Sequence, residues 1–240
     1  MSTFANMPKL SAILTIDDAP SPDFGDVLQT LAEQGIKAIF FCSGEQIAER
    51  RGLLLQALHA GHWLGNHAWD HRHFSELSLE ECLGQIEATE LLLKSLRAEA
   101  GCTDHPLLFR FPYGDKGLDN GEKHTLQNTL RANGYKAPAD LCVSVPNLEY
   151  PEAYILDEVD WFLGADSRDW NFQASNESTE GFAHSIFESL PSMVKESGCE
   201  ILIFHDHLGN AQLTKVALSL LKDHFDFRMP AISCVPSNPA

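Results

Sequence analysis

The feature that most constrains this fold is the repeated exchange of two hydrophobic periods along the chain. LSAILTI (10–16), KAIFFCSG (37–44), HWLGNHAW (62–69), LLFRFPYG (107–114), VDWFLGAD (159–166) and CEILIFHDH (199–207) are short apolar runs that read as strands, the third running into a loop and the fourth into a turn. Between and after them lie FGDVLQTLAEQG, LLLQALHAG, SLEECLGQIEATELLLKSLRAEAG, HTLQNTLRANGY, AHSIFESLPSMVKESG and AQLTKVALSLLKDHF, with apolar residues at helical spacing. The first of these stops at Gly35, and the third starts at Ser78, with Glu81 placed for a capping box. Strands that alternate with helices require parallel pairing under helical cover. That predicts an α/β fold, a barrel or a doubly wound sheet, with reactive groups at the C-terminal ends of the strands.

The polar residues fall at those ends. Asp17 and Asp18 follow the first strand, His67 and His71 the third, Arg110 to Gly114 the fourth, Asp166 to Trp170 the fifth, and His205 to His207 the last. Neighbouring strand residues point to opposite faces, so two adjacent carboxylates can serve one site only where the strand gives way to a loop. A solvated turn is the competing reading, because Pro20 and Pro22 follow. The HxxxH pair, on one helical turn or a tight loop, can aim both imidazoles at one ion, and Asp70 is a candidate to orient one of them. His62 and His73 are read as surface or supporting residues. Two histidines with one of the aspartates make a three-ligand set that leaves a position open for water, and the other aspartate is then free to act as a base.

Composition excludes several classes of function. The formal charge of -17 on 240 residues repels nucleic acid and anionic membrane surfaces. No apolar stretch approaches the roughly 20 residues of a membrane span, and the start of the chain lacks the pattern of a signal peptide. A soluble cytoplasmic protein is therefore expected. The six cysteines are scattered without a CxxC pair, and most are expected to be core residues or reduced thiols. With no repeat or Gly/Ser linker, residues 1–240 are expected to form one catalytic domain with its core at about 10–228.

TIDDAP, HAWDH, RFPYG, DSRDW and ILIFHDH, in that order, resemble the five motifs of the polysaccharide deacetylases, carbohydrate esterase family 4, also called the NodB-like homology domain. The resemblance spans about residues 13 to 225 and implies a distorted (β/α)7-type barrel with a divalent ion, zinc first and cobalt or a similar metal second. It makes Asp18, His67 and His71 the metal ligands and Asp17 the base that deprotonates the attacking water. Arg110 would orient that base, and the backbone N–H of Tyr113 would help hold the oxyanion. His205 would be the acid that protonates the departing amine, with Asp169 tuning it, and Trp170 and Ile203 would wall the acyl pocket. The resemblance departs at Ile16, Ala19, Phe111 and Ile203, and in the long stretch 139–158. Ala19 stands where the family has a glycine, so a different course of the first loop is expected.

The activity implied is metal-dependent removal of N-acetyl groups from N-acetylated amino-sugar carbohydrate. The alternatives are hydrolysis of a non-carbohydrate C–N bond on the same fold, in another N-acyl compound or an allantoinase-like ureide, and a silent carbohydrate-binding protein.

Overall fold

Inward and outward residues alternate along each strand and sort into two cores. In the computed structural model, which describes residues 8–117, 119–144, 159–161 and 164–231, β1 (Leu10–Ala19), β2 (Ala38–Cys42), β3 (Trp63–Asn66), β4 (Ala165–Asp166) and β5 (Ile201–His205) pair in the order β3-β2-β1-β5-β4. All these pairings are parallel, with Ile16 opposite Phe40 and Asp17 opposite His205. One face of the strands contributes Leu14, Ile16, Phe40, Leu202 and Phe204 to an outer core under the helices, and the other contributes Ile13, Ile39, Phe41, Ile201 and Ile203 to the barrel interior. Each fully buried side chain of this size contributes about 1.5–3 kcal/mol before conformational entropy is subtracted.

The helices are α1 (Phe24–Gln34), α2 (Gly44–Ile47), α3 (Arg51–His59), α4 (Leu79–Glu99), α5 (Asn120–Ala132), α6 (Thr179–Ser197) and α7 (Ala211–Leu221). Helix α1 ends on Gly35 with φ 69°, the left-handed cap that glycine adopts without a Cβ penalty. Helix α4 starts with the expected capping box, Ser78 Oγ accepting from Glu81 N–H while the Glu81 carboxylate accepts from Ser78 N–H.

Three elements differ from expectation. Of the strand and turn expected at 107–114, the turn forms at Pro112–Gly114, and the strand makes single parallel bridges only: Phe109 to Asn66 on one side and to Asp160 on the other, and Leu107 to Tyr135. Of the strand expected at 159–166, Ala165–Asp166 pairs with β5, and residues 162 and 163 lie outside the described residues. The last expected helix stops at Leu221, and Phe225–Phe227 form β6 instead, paired with the start of β1 through Leu10 and Phe225. Most of the irregular stretch near 137–157, from residue 145 onward, falls outside the described residues. Cys42, Cys82, Cys102 and Cys199 are free thiols, and Cys142 is disulfide-bonded.

Candidate active site

Strand β1 supplies both carboxylates from within the strand rather than from a following loop. Ile13, Thr15 and Asp17 share the inward face by alternation, and Asp18 should then point outward. The β1–β2 register shifts between Ile16 and Ala19, however, and Asp18 takes φ 61°, which turns its side chain into the same pocket. Left-handed backbone at a non-glycine residue costs energy and persists where surroundings enforce it. Ala19 itself has no positive φ, so the Cβ that stands where the family has glycine meets no strain of that kind.

Asp17 is clamped. It is 3% exposed, and its Oδ1 lies 2.5 Å from Nη1 of Arg110, which is fully buried. The same Nη1 donates to Thr15 Oγ1, Nε and Nη2 both donate to the carbonyl of Trp161, and the guanidinium sits 4.3 Å from the centre of the Phe41 ring. A buried carboxylate is tolerated when its partner is close and is itself held by further hydrogen bonds, as this one is.

His67 and His71 leave β3 on a tight loop, not a helix, in which Ala68 and His71 both have positive φ. Helix α4 holds that loop: Thr89 Oγ1 donates to the Ala68 carbonyl, Gln85 Oε1 accepts from Trp69 N–H, and Asn66 ties the loop to the Ile86 carbonyl. The N–H groups of Gly44 and Glu45 in α2 bind the carbonyls of Ala68 and Trp69. Asp70 accepts from Arg72 N–H inside its own loop, and it is the Arg110 carbonyl, 2.8 Å from His67 Nδ1, that orients an imidazole. His62 is not a surface residue: it is 1% exposed, its Nδ1 accepts from Ala38 N–H, and burial lowers it to about 4. His73 lies flat against the Tyr113 ring at 3.9 Å.

One ligand atom from each of Asp18, His67 and His71 lies within 4.8 Å of the others. The donor chemistry fits a cation. A carbonyl can only accept, so His67 Nδ1 carries the proton, and in the neutral ring Nε2 presents a lone pair toward Asp18 Oδ1, 3.5 Å away. His71 Nε2 is 2.8 Å from the same oxygen but is not aligned as a hydrogen bond, and Oδ1 is buried without a hydrogen-bond partner. Burial opposes ionisation of Asp18, yet His207, His67 and His71 outweigh it and hold the carboxyl well below the usual range. Burial also disfavours a charged His67, but Asp17 and Asp18 lift it overall. Positive charge is favoured at this point whether a proton or a metal ion brings it.

On β5, beside Asp17, His205 Nδ1 is 2.7 Å from Asp169 Oδ1, and His205 N–H donates to Asp169 Oδ2. Asp169 is fully buried, receives Ser167 Oγ–H, and has its carbonyl bound by Asn210. Burial resists a charged imidazole here, but the hydrogen bond and charge of Asp169 prevail and raise His205 to about 9. Tyr113 has φ 57°, and the hydrogen bonds of its turn run from Gly114 and Asp115 N–H, not from its own. Trp170 lines the pocket and is 48% exposed. Ile203 does not line it; alternation places it one step below His205 in the barrel interior, 2% exposed.

The pocket has a volume of about 510 Å³. Ser43, Gln46, Asp166 and His207 also line it and were not assigned from the sequence. For His207 the signal was present in the HDH string. A larger groove, about 680 Å³ between α4 and α5, contains Leu83, Leu91 and Leu130 and none of the site residues.

A family model described as polysaccharide deacetylase matches residues 5–138. The peptidoglycan-N-acetylglucosamine deacetylase PgdA of Listeria monocytogenes is 37% identical over 103 residues, 42% of this chain and 21% of its own length. The chitooligosaccharide deacetylase of Rhizobium leguminosarum bv. phaseoli is 33% identical over 143 residues, 56% of this chain and 61% of its own. The chain thus spans about a fifth of the Listeria relative. The solved structure of a polysaccharide deacetylase from Bacillus cereus superposes with a TM-score of 0.66 at 22% identity, covering 92% of this chain and 91% of that one. Peptidoglycan deacetylase PdaC from Bacillus subtilis gives 0.62 at 19% identity, over 91% and 87%.

Proposed function

The chain belongs to the polysaccharide deacetylase family, and from that premise we propose that it removes N-acetyl groups from N-acetylated amino-sugar carbohydrate by metal-assisted hydrolysis. The observation that carries this reading is that the Arg110-clamped Asp17 and the Asp169-held His205, partners on the paired strands β1 and β5, line one pocket together with the cation cradle of Asp18, His67 and His71. An amide is a poor electrophile with a poor leaving group. Its hydrolysis near neutral pH needs an activated water, a stabilised oxyanion and a proton for the nitrogen.

Asp18, His67 and His71 would hold a divalent ion, zinc or a similar metal, which when bound supplies Lewis-acid polarisation of the carbonyl and of the attacking water. Asp17 takes the proton from that water, and Arg110 keeps its carboxylate aimed. The Tyr113 N–H donates to the oxyanion as the carbonyl becomes tetrahedral. His205, its Nδ1 occupied by Asp169, delivers a proton from Nε2 to the departing amine, and acetate and a free amino group result. Trp170 flanks the acetyl methyl.

Two relatives are named for peptidoglycan N-acetylglucosamine and for chitooligosaccharide, and these substrate classes carry over as the proposal for this chain. A strongly anionic polymer fits poorly with a charge of -17. No helix among the described residues is long and apolar enough to cross a membrane, and the Cys142 disulfide fits an oxidising compartment better than the cytoplasm expected from the sequence. The gathered metal cradle speaks against a metal-free, ureide-opening alternative.

The test is a pair of variants read for metal content and for acetate release. Asp17→Asn keeps the ion and loses turnover, whereas His67→Ala loses both. Full activity in Asp17→Asn would remove Asp17 as the base.

A further inference from the structure

The proposed reaction leaves His207 without a role, although it reaches the centre of the site. Along β5, alternation sends His205 inward and Asp206 outward, where its carboxylate binds the N–H and Oγ of Ser21. His207 then turns back to the pocket and places Nε2 2.7 Å from Asp18 Oδ2. An ionised carboxylate only accepts, so this nitrogen is the donor.

The two oxygens of Asp18 are therefore treated differently. Oδ1 faces His67 and His71 and has no hydrogen bond, whereas Oδ2 is taken by His207. Asp17, one residue earlier, owes its orientation to Arg110, and among the described hydrogen bonds Asp18 has only His207 to do the same. Its backbone sits in the left-handed region at a register shift, so the strand does not fix the carboxylate by itself. One nitrogen cannot both donate to Oδ2 and coordinate an ion, and His207 is not part of the cluster of mutually close ligand atoms.

We propose that His207 is a positioning residue for the metal centre: its Nε2–H holds Oδ2 of Asp18 so that Oδ1 alone is offered to the ion. The proposal rests on the metal-site reading above. Groups that orient metal ligands typically contribute 10–100-fold to metal affinity.

The test uses the full chain, with zinc alone as the probe in competition with a chromophoric chelator. His207→Ala is expected to weaken zinc binding 10–100-fold and to change the absorption spectrum of the cobalt(II)-substituted protein. His207→Gln, whose amide can donate to Oδ2, is expected to recover most of the affinity and the wild-type spectrum. Because a variant can misfold, ¹⁵N NMR of zinc-loaded wild-type protein provides an independent reading: His207 Nε2 keeps its proton. Wild-type affinity and spectrum in a folded His207→Ala would overturn the proposal, and so would a deprotonated, metal-shifted Nε2, which would make His207 a ligand. If His67→Ala loses zinc while His207→Ala does not, the metal site stands and this role for His207 falls. If wild-type protein binds no zinc, both fall.

Discussion

Asp17 and Arg110 form a buried ion pair in which every removal leaves a charge behind. Arg110→Met keeps most of the volume but strands the Asp17 carboxylate, and losing one partner of such a pair costs about 3–5 kcal/mol. Urea unfolding at neutral pH should show that loss, and Asp17→Asn introduced into Arg110→Met should recover part of it. Two histidines titrate in opposite senses. His205, raised from 6.5 to about 9, adds about 3 kcal/mol of stability to the metal-free protein that is complete below pH 6.5 and disappears as pH rises through 9. His62, lowered from 6.5 to about 4, contributes a similar amount that is complete above pH 6.5 and disappears as pH falls through 4. The stability difference between wild type and His62→Gln should therefore shrink between pH 6.5 and 4, and that of His205→Gln between 6.5 and 9. A difference independent of pH would contradict either assignment. His62 and His67 look alike in sequence; which one is a neutral core residue depends on the partner its ring meets, Ala38 N–H or the Arg110 carbonyl.

At the scale of elements, the loop bearing His67 and His71 is held in a narrow gap. A Cβ on Gly44 would lie 2.4 Å from both Thr89 Oγ1 and the Trp69 ring, so α2 cannot approach this loop with any larger residue. Gly44→Ala should lower the melting temperature by several degrees and weaken zinc binding, while Gly52→Ala, which meets no atom within 4 Å, should do neither. Strands β1, β2 and β5 were legible because their apolar runs alternate between two buried faces. The turn at the end of 107–114 is legible, whereas its strand part forms no full ladder, because its apolar run reflects burial of Phe109 and Phe111 in a separate cluster. Strand β6 was missed because FDF follows a helical pattern without a breaker, and only its pairing to β1 makes it a strand. The positive φ of Asp18 leaves no local mark either, since aspartate occurs in both right- and left-handed backbone.

For the molecule as a whole, the fold brings five clusters separated along the chain to one end of a parallel barrel, and sequence order alone located that end. Pocket-lining residues such as Ser43 and Gln46 are not legible, because their place depends on how α2 packs against α4 and the loop after β3. The acidic surface and the pocket of about 510 Å³ suit a neutral N-acetylated sugar. The central claim, metal-dependent release of acetate, is tested most directly by loading the purified protein with zinc or cobalt and following acetate from N-acetylglucosamine oligomers with and without chelator. The account predicts release that the chelator abolishes and added metal restores; release unchanged by the chelator would contradict it.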